Sequence, residues 1–209
     1  MLHGRERIER VVSGDGQAEA GTAARILDVA ERLVQTRGFN GFSYADVAAE
    51  VRVTKAGLHY HFAGKAELGE ALVARYTARF TAALAAIDER RADARSKLDA
   101  YMKLYADVLR DERMCLCGML AAEFETLPER MREAVISFFD QNETWLAHIL
   151  DQGRAEGTLR FAGPSRETAQ TIVSALEGAM LVARPHDDVA RFRAAARHLL
   201  ASLIPDPAR

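Results

Sequence analysis

The chain is poor in the residues that staple, kink or span. Of its 209 residues only two are cysteine, five are proline and 7% are aromatic. Cys115 and Cys117 stand two apart, too close to staple a loop, so a disulfide scaffold is not expected and a reduced, cytoplasmic location is. No apolar run approaches the roughly 18 residues that a membrane span requires. The opening stretch MLHGRERIERVVSGDGQ has no apolar core of the kind a secretory signal carries, and no membrane partner is expected. An excess of charge is missing too: 28 bases face 30 acids, a net of −2. That balance speaks weakly against a nucleic-acid partner, but the distribution matters more. Residues 21–65 carry six bases against four acids, and residues 66–209 carry 19 against 22. A mildly basic head on an acidic body is compatible with DNA binding. The sequence also holds no nucleophile elbow, zinc-ligand pair, phosphate-binding loop or dinucleotide fingerprint. An enzyme is therefore not expected, nor is a cofactor.

What is present points to helix. The chain is 49% hydrophobic and 28% charged, with Ala, Leu, Glu and Arg abundant. Residues 1–20 are charged, contain SGDGQ and are expected to form a mobile arm. Ile26, Val29, Ala30 and Leu33 then recur at helical spacing, with Thr22 as the expected cap and Gly38 as the stop. Phe39 and Phe42 flank an Asn40-Gly41 turn. Ser43 opens a second short helix with capping-box spacing to Asp46, and Thr54 opens a third that runs to about Phe62. Further helices are expected at 65–91, 95–110, 115–125, 127–156, 165–183 and 187–203, the 127–156 helix opened by Thr126 capping towards Glu129. No alternating stretch is long enough for a strand. The expected fold is all-α: a three-helix N-terminal helix-turn-helix DNA-binding domain over residues 21–67 and a larger helical body over 68–209, which the resemblance described below implies to be an effector-binding and dimerisation domain.

The segment GFNGFSYADVAAEVRVTKAGLHYHFAGKAEL, residues 38–68, carries the functional signal. Two short helices joined by a tight turn and braced by a preceding helix make a helix-turn-helix, whose second helix enters the major groove. Val53, Leu58 and Phe62 supply its back face, while Lys55 and His59, four apart, share the opposite stripe. Gly57 in mid-helix costs roughly 1 kcal/mol relative to Ala. That cost is tolerable where a missing side chain lets the backbone approach DNA; taken alone, the residue reads as a helix that happens to contain a glycine. The string TKAGLHYHF followed by Lys65 and Leu68 closely resembles the recognition region of the tetracycline-repressor (TetR) family, and the likeness runs over roughly residues 22–70.

That resemblance implies roles for individual residues. Lys55, Ala56 and Gly57 match positions that approach base edges, where a lysine can donate to guanine O6 and N7. Ser43, Thr54, Tyr60 and His61 match positions that hold phosphates, and Lys65 at the start of the fourth helix matches another phosphate contact. Tyr44 lies at a helix start often turned towards DNA. His59 departs from the family pattern by standing where Tyr is usual. The implied partners are a double-stranded DNA operator, a small-molecule effector and a second copy of the chain. The second copy is expected to join through residues about 165–203, where Ser174, Ala175, Gly178 and Ala179 allow close helix approach.

Metal is not expected: His59 and His61 are two apart and diverge by about 200° around a helix. For Cys115-Leu116-Cys117 three readings stand open: buried packing, sensing of oxidants or electrophiles by thiolate, and an incomplete soft-metal site. An effector pocket is expected to draw on Tyr101, Tyr105, Cys115, Met119, Glu123, Phe124, Trp145 and His148, mostly apolar with a few polar groups. The function expected is a ligand-responsive repressor. An activator with the same head, or a thiol-based electrophile sensor through Cys115, are the alternatives.

Overall fold

The computed structural model describes residues 21–205; the arm expected at residues 1–20 lies outside the described residues. Among the described residues the chain forms helices and two short 3-10 turns, with no strand. The first helix, α1, covers residues 21–37. It is followed by α2 (Tyr44–Val51), α3 (Lys55–His61), α4 (Lys65–Arg90), α5 (Ala94–Arg110) and α6 (Leu116–Ala122). A 3-10 turn over Phe124–Thr126 leads to α7 (Glu129–Ala155), and α8 (Ser165–Ala183) and α9 (Val189–Ser202) complete the order.

Local chemistry accounts for most boundaries. Gly38, at φ +83°, turns the chain out of α1, and Arg52, at φ +62°, ends α2 in the same left-handed region. Ser43 and Asp46 form the reciprocal capping box of α2, with Ser43 N donating to Asp46 Oδ2 at 2.6 Å. Thr54 Oγ1 accepts from Gly57 N at 3.0 Å and starts α3. Two capping expectations are corrected. Gly21 and Thr22 are already helical, so Thr22 is not the cap of α1. The residue before α7 is Pro128, with no side-chain cap, while the Thr126 hydroxyl donates to Glu123 O at 2.7 Å. Thr126 is thus spent on its own 3-10 turn, and proline, pre-set in φ and lacking N–H, serves as the entry to α7.

Head and body are joined by one continuous helix. The first three helices pack around Ile26, Leu33, Val47 and Leu58, all fully or nearly fully buried. α4 carries this core onward through Leu68 and Leu72, so the expected 67/68 boundary falls inside an unbroken helix roughly 39 Å long by its 1.5 Å rise per residue. A buried acid locks α1 to α4: Glu31, 5% exposed, accepts from Arg75 at 2.9 Å and from Arg79. In the body, α7 packs against α4, α5, α6 and α8, and α9 closes over α5 and α8.

Gly69 of α4 sits where head and body pack closely against the linking helix. A Cβ there would lie 2.4 Å from Met131 Sδ of α7 and 2.9 Å from Phe39 Cε2 of the head. In an exposed helix a Gly-to-Ala change gains about 1 kcal/mol. Here Gly69→Ala is expected to lower stability instead, by about 1–3 kcal/mol from overpacking, read as a fall in thermal midpoint. A rise in midpoint would mean that Met131 and Phe39 yield freely.

Candidate nucleic-acid interface and effector site

Helix α3 is built as an inner and an outer face. Leu58 and Phe62 are buried, and Val53 packs half-buried against them. On the other side Lys55, Ala56, His59 and Tyr60 are exposed, and Lys55 has no ion-pair partner among the described residues. Tyr60 is 72% exposed, which is large for an aromatic residue. Gly57 has no neighbour that demands its small size beyond Thr54 Oγ1, 3.3 Å from where a Cβ would stand. Its missing side chain therefore leaves the outer face of α3 flat. Thr54 accepts one hydrogen bond and keeps its hydroxyl proton as a donor.

Other predicted contacts have their polar groups engaged within the head. The Ser43 hydroxyl donates to Asp46 Oδ2 at 2.7 Å and accepts from Asp46 N at 3.2 Å, so a phosphate would compete with its capping box. Tyr44 donates to the carbonyl of Phe62, its ring 4.9 Å from that of His59. His59 in turn keeps Nδ1 at 3.0 Å from Ala63 O. His61 is half-buried, edge-on to Tyr60 at 5.3 Å. Lys65 places Nζ on the Phe42 carbonyl and over the rings of Phe39 and Phe42, at 4.7 and 4.3 Å. Burial lowers its pKa, opposed by the nearby charges of Glu123 and Asp46. In this structure Lys65 braces the turn that precedes α2.

That turn is also held from the body. Phe39 N donates to Glu123 Oε2 at 2.6 Å, and Asn40 N lies 3.3 Å from both Glu123 oxygens. Asn40 Nδ2 donates to Thr126 Oγ1 at 2.7 Å. Gly38 makes room: a Cβ on it would stand 2.6 Å from Glu123 Oε1. Nearby, Met114 N donates to Gln35 O at 3.1 Å, and Arg184 at the end of α8 donates to Thr36 O. Glu123 therefore leaves the expected pocket set and becomes a clamp on the head. Its spacing in sequence carries no sign of this, because the contact spans 84 positions.

Of the other expected pocket residues, only some converge. Tyr101 and Tyr105 are buried with hydroxyl oxygens 3.1 Å apart, and Trp145 stacks on Tyr101 at 5.6 Å. Cys115 lies behind them, accepting from Tyr76 Oη at 3.7 Å. Met119 instead meets Arg184 at 3.5 Å, Phe124 is half-buried beside Arg132, and His148 is exposed along an open groove of α7. Glu177 of α8 was not among the expected residues, yet it faces this cluster. Its charge acts on Tyr76, Tyr101, Tyr105, Cys115 and Cys117. Its Oε1 is buried without a hydrogen-bond partner among the described residues. The signal that could have found it is its register: Val173, Glu177 and Met180 fall on one helical stripe, and its two companions are buried.

Electrostatics sets the chemistry of this interior. Burial pushes the Glu177 carboxyl up to about 7, against an opposing hydrogen bond from Cys115. Burial first, then the Glu177 and Cys117 charges, push the Cys115 thiol well above its ordinary value. A reactive thiol needs exposure and a depressed pKa. Cys115 is 2% exposed and shifted the other way, so this structure does not meet the condition for electrophile sensing.

Residues 26–72 match the tetR family of bacterial regulatory proteins, and residues 94–199 match the tetracyclin repressor-like C-terminal domain. The chain belongs to the TetR family. It is a DNA-binding transcriptional regulator of that family, with an N-terminal helix-turn-helix. A TetR-family regulator from Agrobacterium tumefaciens is 33% identical, covers 90% of this chain and 100% of its own, and superposes with a TM-score of 0.86. A TetR regulator from Legionella pneumophila is 31% identical over 86% of this chain and 95% of its own, with a TM-score of 0.74. The reduced form of NemR from E. coli is 25% identical over 90% and 100%, with a TM-score of 0.77. The transcriptional regulator AcuR of Cereibacter sphaeroides is 24% identical over 155 residues, 71% of this chain and 69% of its own.

The raised carboxyl gives a stability test with a definite sign. Between the ordinary value of 4.5 and about 7 the unfolded chain loses the Glu177 proton before the folded chain does. Glu177 therefore costs nothing below that window and lowers stability as pH rises through it, by up to about 3 kcal/mol above it. Glu177→Gln is expected to match the parent in chemical denaturation at pH 4 and to exceed it at pH 8. A difference that does not change with pH would contradict the assignment.

Proposed function

We propose that this chain is a ligand-responsive repressor that binds a palindromic operator as a homodimer and leaves it when a small molecule enters the body. Residues 21–67 serve as the DNA-binding head and 68–209 as the effector-binding and dimerisation domain. The observation that carries the reading is the flat, exposed outer face of α3, with Lys55 in no ion pair among the described residues and Gly57 not required by packing. On it, Lys55 reads base edges and Ala56 and Gly57 let the backbone close in, while Thr54, Tyr60 and His61 hold phosphates. Ser43, Tyr44, His59 and Lys65 already hold hydrogen bonds within the head and meet phosphate only where these are exchanged. The site of action is the cytoplasm, where the DNA is.

Dimerisation through residues about 165–203 is supported by an unusual surface on α8. Leu181 and Val182 are 64% and 53% exposed, and Gly178 on the same stripe has nothing within 4 Å of a built Cβ. Apolar side chains exposed beside small residues suit a two-fold helix contact. The head can respond to an effector because the body grips it at Glu123. An effector that favours one arrangement of that grip shifts the spacing of the two heads. A thiol sensor through Cys115 is less well supported, since the thiol is buried beside a carboxylate.

Footprinting on the DNA flanking the chain's own gene tests the reading. The expected result is a two-fold symmetric footprint with half-sites one helical turn, or a multiple of it, apart. Derepression of a reporter on gene deletion is expected, and loss of expression would make the chain an activator. Lys55→Ala is expected to cost about 1–3 kcal/mol of operator affinity and to relax base preference at one position. Gly178→Trp is expected to sediment as a monomer, melt like the parent and lose operator binding. An unchanged dimer would remove this face of α8.

A further inference from the structure

We propose that the Glu177 carboxylate, facing the phenol rings of Tyr76, Tyr101 and Tyr105 inside the body, anchors a subsite for a small organic cation, an amine or quaternary ammonium. The inference rests on the ligand-responsive reading and names the chemistry of the ligand.

The carboxylate is out of place for packing alone. Its Oε1 is buried with no hydrogen-bond partner, and no lysine, arginine or histidine pairs with it among the described residues. The titratable groups that face it are Tyr76 on α4, Tyr101 and Tyr105 on α5, and Cys115 and Cys117 on α6. None of them can supply a positive charge. A carboxylate withdrawn from water without a cation is costly, and a cation that arrives from outside offsets that cost.

The fold nonetheless makes room for it. A Cβ on Gly118 of α6 would stand 2.2 Å from Glu177 Oε2, so a glycine there is what admits the carboxylate between α6 and α8. The phenols that feel the Glu177 charge belong to a larger aromatic cluster. Phe80 lies edge-on to Tyr101 and Tyr105 at 6.1 and 6.3 Å, and Trp145 stacks on Tyr101. Aromatic faces attract ammonium groups most strongly where water is excluded. An anion would meet the Glu177 charge, and a neutral molecule would leave it unpaired. The position also suits a signal. Gly118 and Cys115 bracket the start of α6, and Glu123, which grips the head, directly follows its end.

Trp145 is the sole tryptophan of the chain and stands one ring away, so its fluorescence reports occupancy. The full chain is titrated with benzyltrimethylammonium, benzyl alcohol and benzoate. Saturable change is expected with the cation, at least about tenfold weaker with the alcohol and absent with benzoate. Glu177→Gln, equal in shape, is expected to weaken the cation by about tenfold or more while leaving the alcohol unchanged. A cation bound no tighter than the alcohol overturns the proposal, as does a Glu177→Gln variant that binds it like the parent. If the alcohol or benzoate instead releases operator DNA, the cation subsite falls and the ligand-responsive reading stands. If the cation binds tightly but no tested molecule releases operator DNA, the subsite stands and the regulatory reading falls.

Discussion

The Glu123 carboxylate holds two backbone N–H groups of the turn between α1 and α2, and the attitude of the DNA head depends on that hold. Charge-assisted bonds of this kind contribute about 1.5–3 kcal/mol each when partly shielded from water. Gly38 is needed twice over, for its left-handed backbone and for the absence of a side chain where the carboxylate sits. Lys65 approaches the same turn from the other side and pins Phe42. Asn40 adds a bond to Thr126, and Arg184 ties the end of α1 to the end of α8. The head is thus fastened by directional polar contacts as well as by the greasy seam along α4. Polar contacts of this kind can be exchanged for others, which the proposed response to an effector would require.

How much of this was legible in the sequence depends on the range of the contact. Helix order, the Ser43–Asp46 capping box, the Gly38 stop and the inner face of α3 follow from residues a few positions apart, and the structure has them. Thr126 misled because its capping spacing to Glu129 was satisfied on paper, while Pro128 left no N–H to contest and Glu123 O claimed the hydroxyl. Lys65 and Tyr44 carry polar tips that a sequence places at the surface, but each finds a buried carbonyl within the head. The Glu31 brace to Arg75 and Arg79 and the Glu123 clamp bridge distant segments, and nothing local foretells them.

Inside the body the same carboxylate chemistry is used to the opposite effect. Glu123 is satisfied by backbone donors, whereas Glu177 is buried facing phenols and thiols that give it little. A satisfied buried carboxylate rigidifies its surroundings, and an unsatisfied one leaves them poised for a partner. The two acids sit at opposite ends of one short stretch, Glu177 against Gly118 and Cys115 at its start, Glu123 just past Ala122 at its end. The raised Cys115 thiol belongs to the same interior, kept protonated by burial and by the carboxylate beside it.

The central claim is that Glu123 sets the stability of the turn it holds without carrying the body's core. Amide hydrogen exchange in the parent and in Glu123→Ala tests it residue by residue. The account predicts that the Phe39 and Asn40 amides, protected in the parent, exchange faster in the variant by about one to two orders of magnitude, as expected for a bond of that strength. Amides of α5 and α7 should exchange as before. Unchanged protection at Phe39 and Asn40, or an equal loss throughout the body, would contradict it.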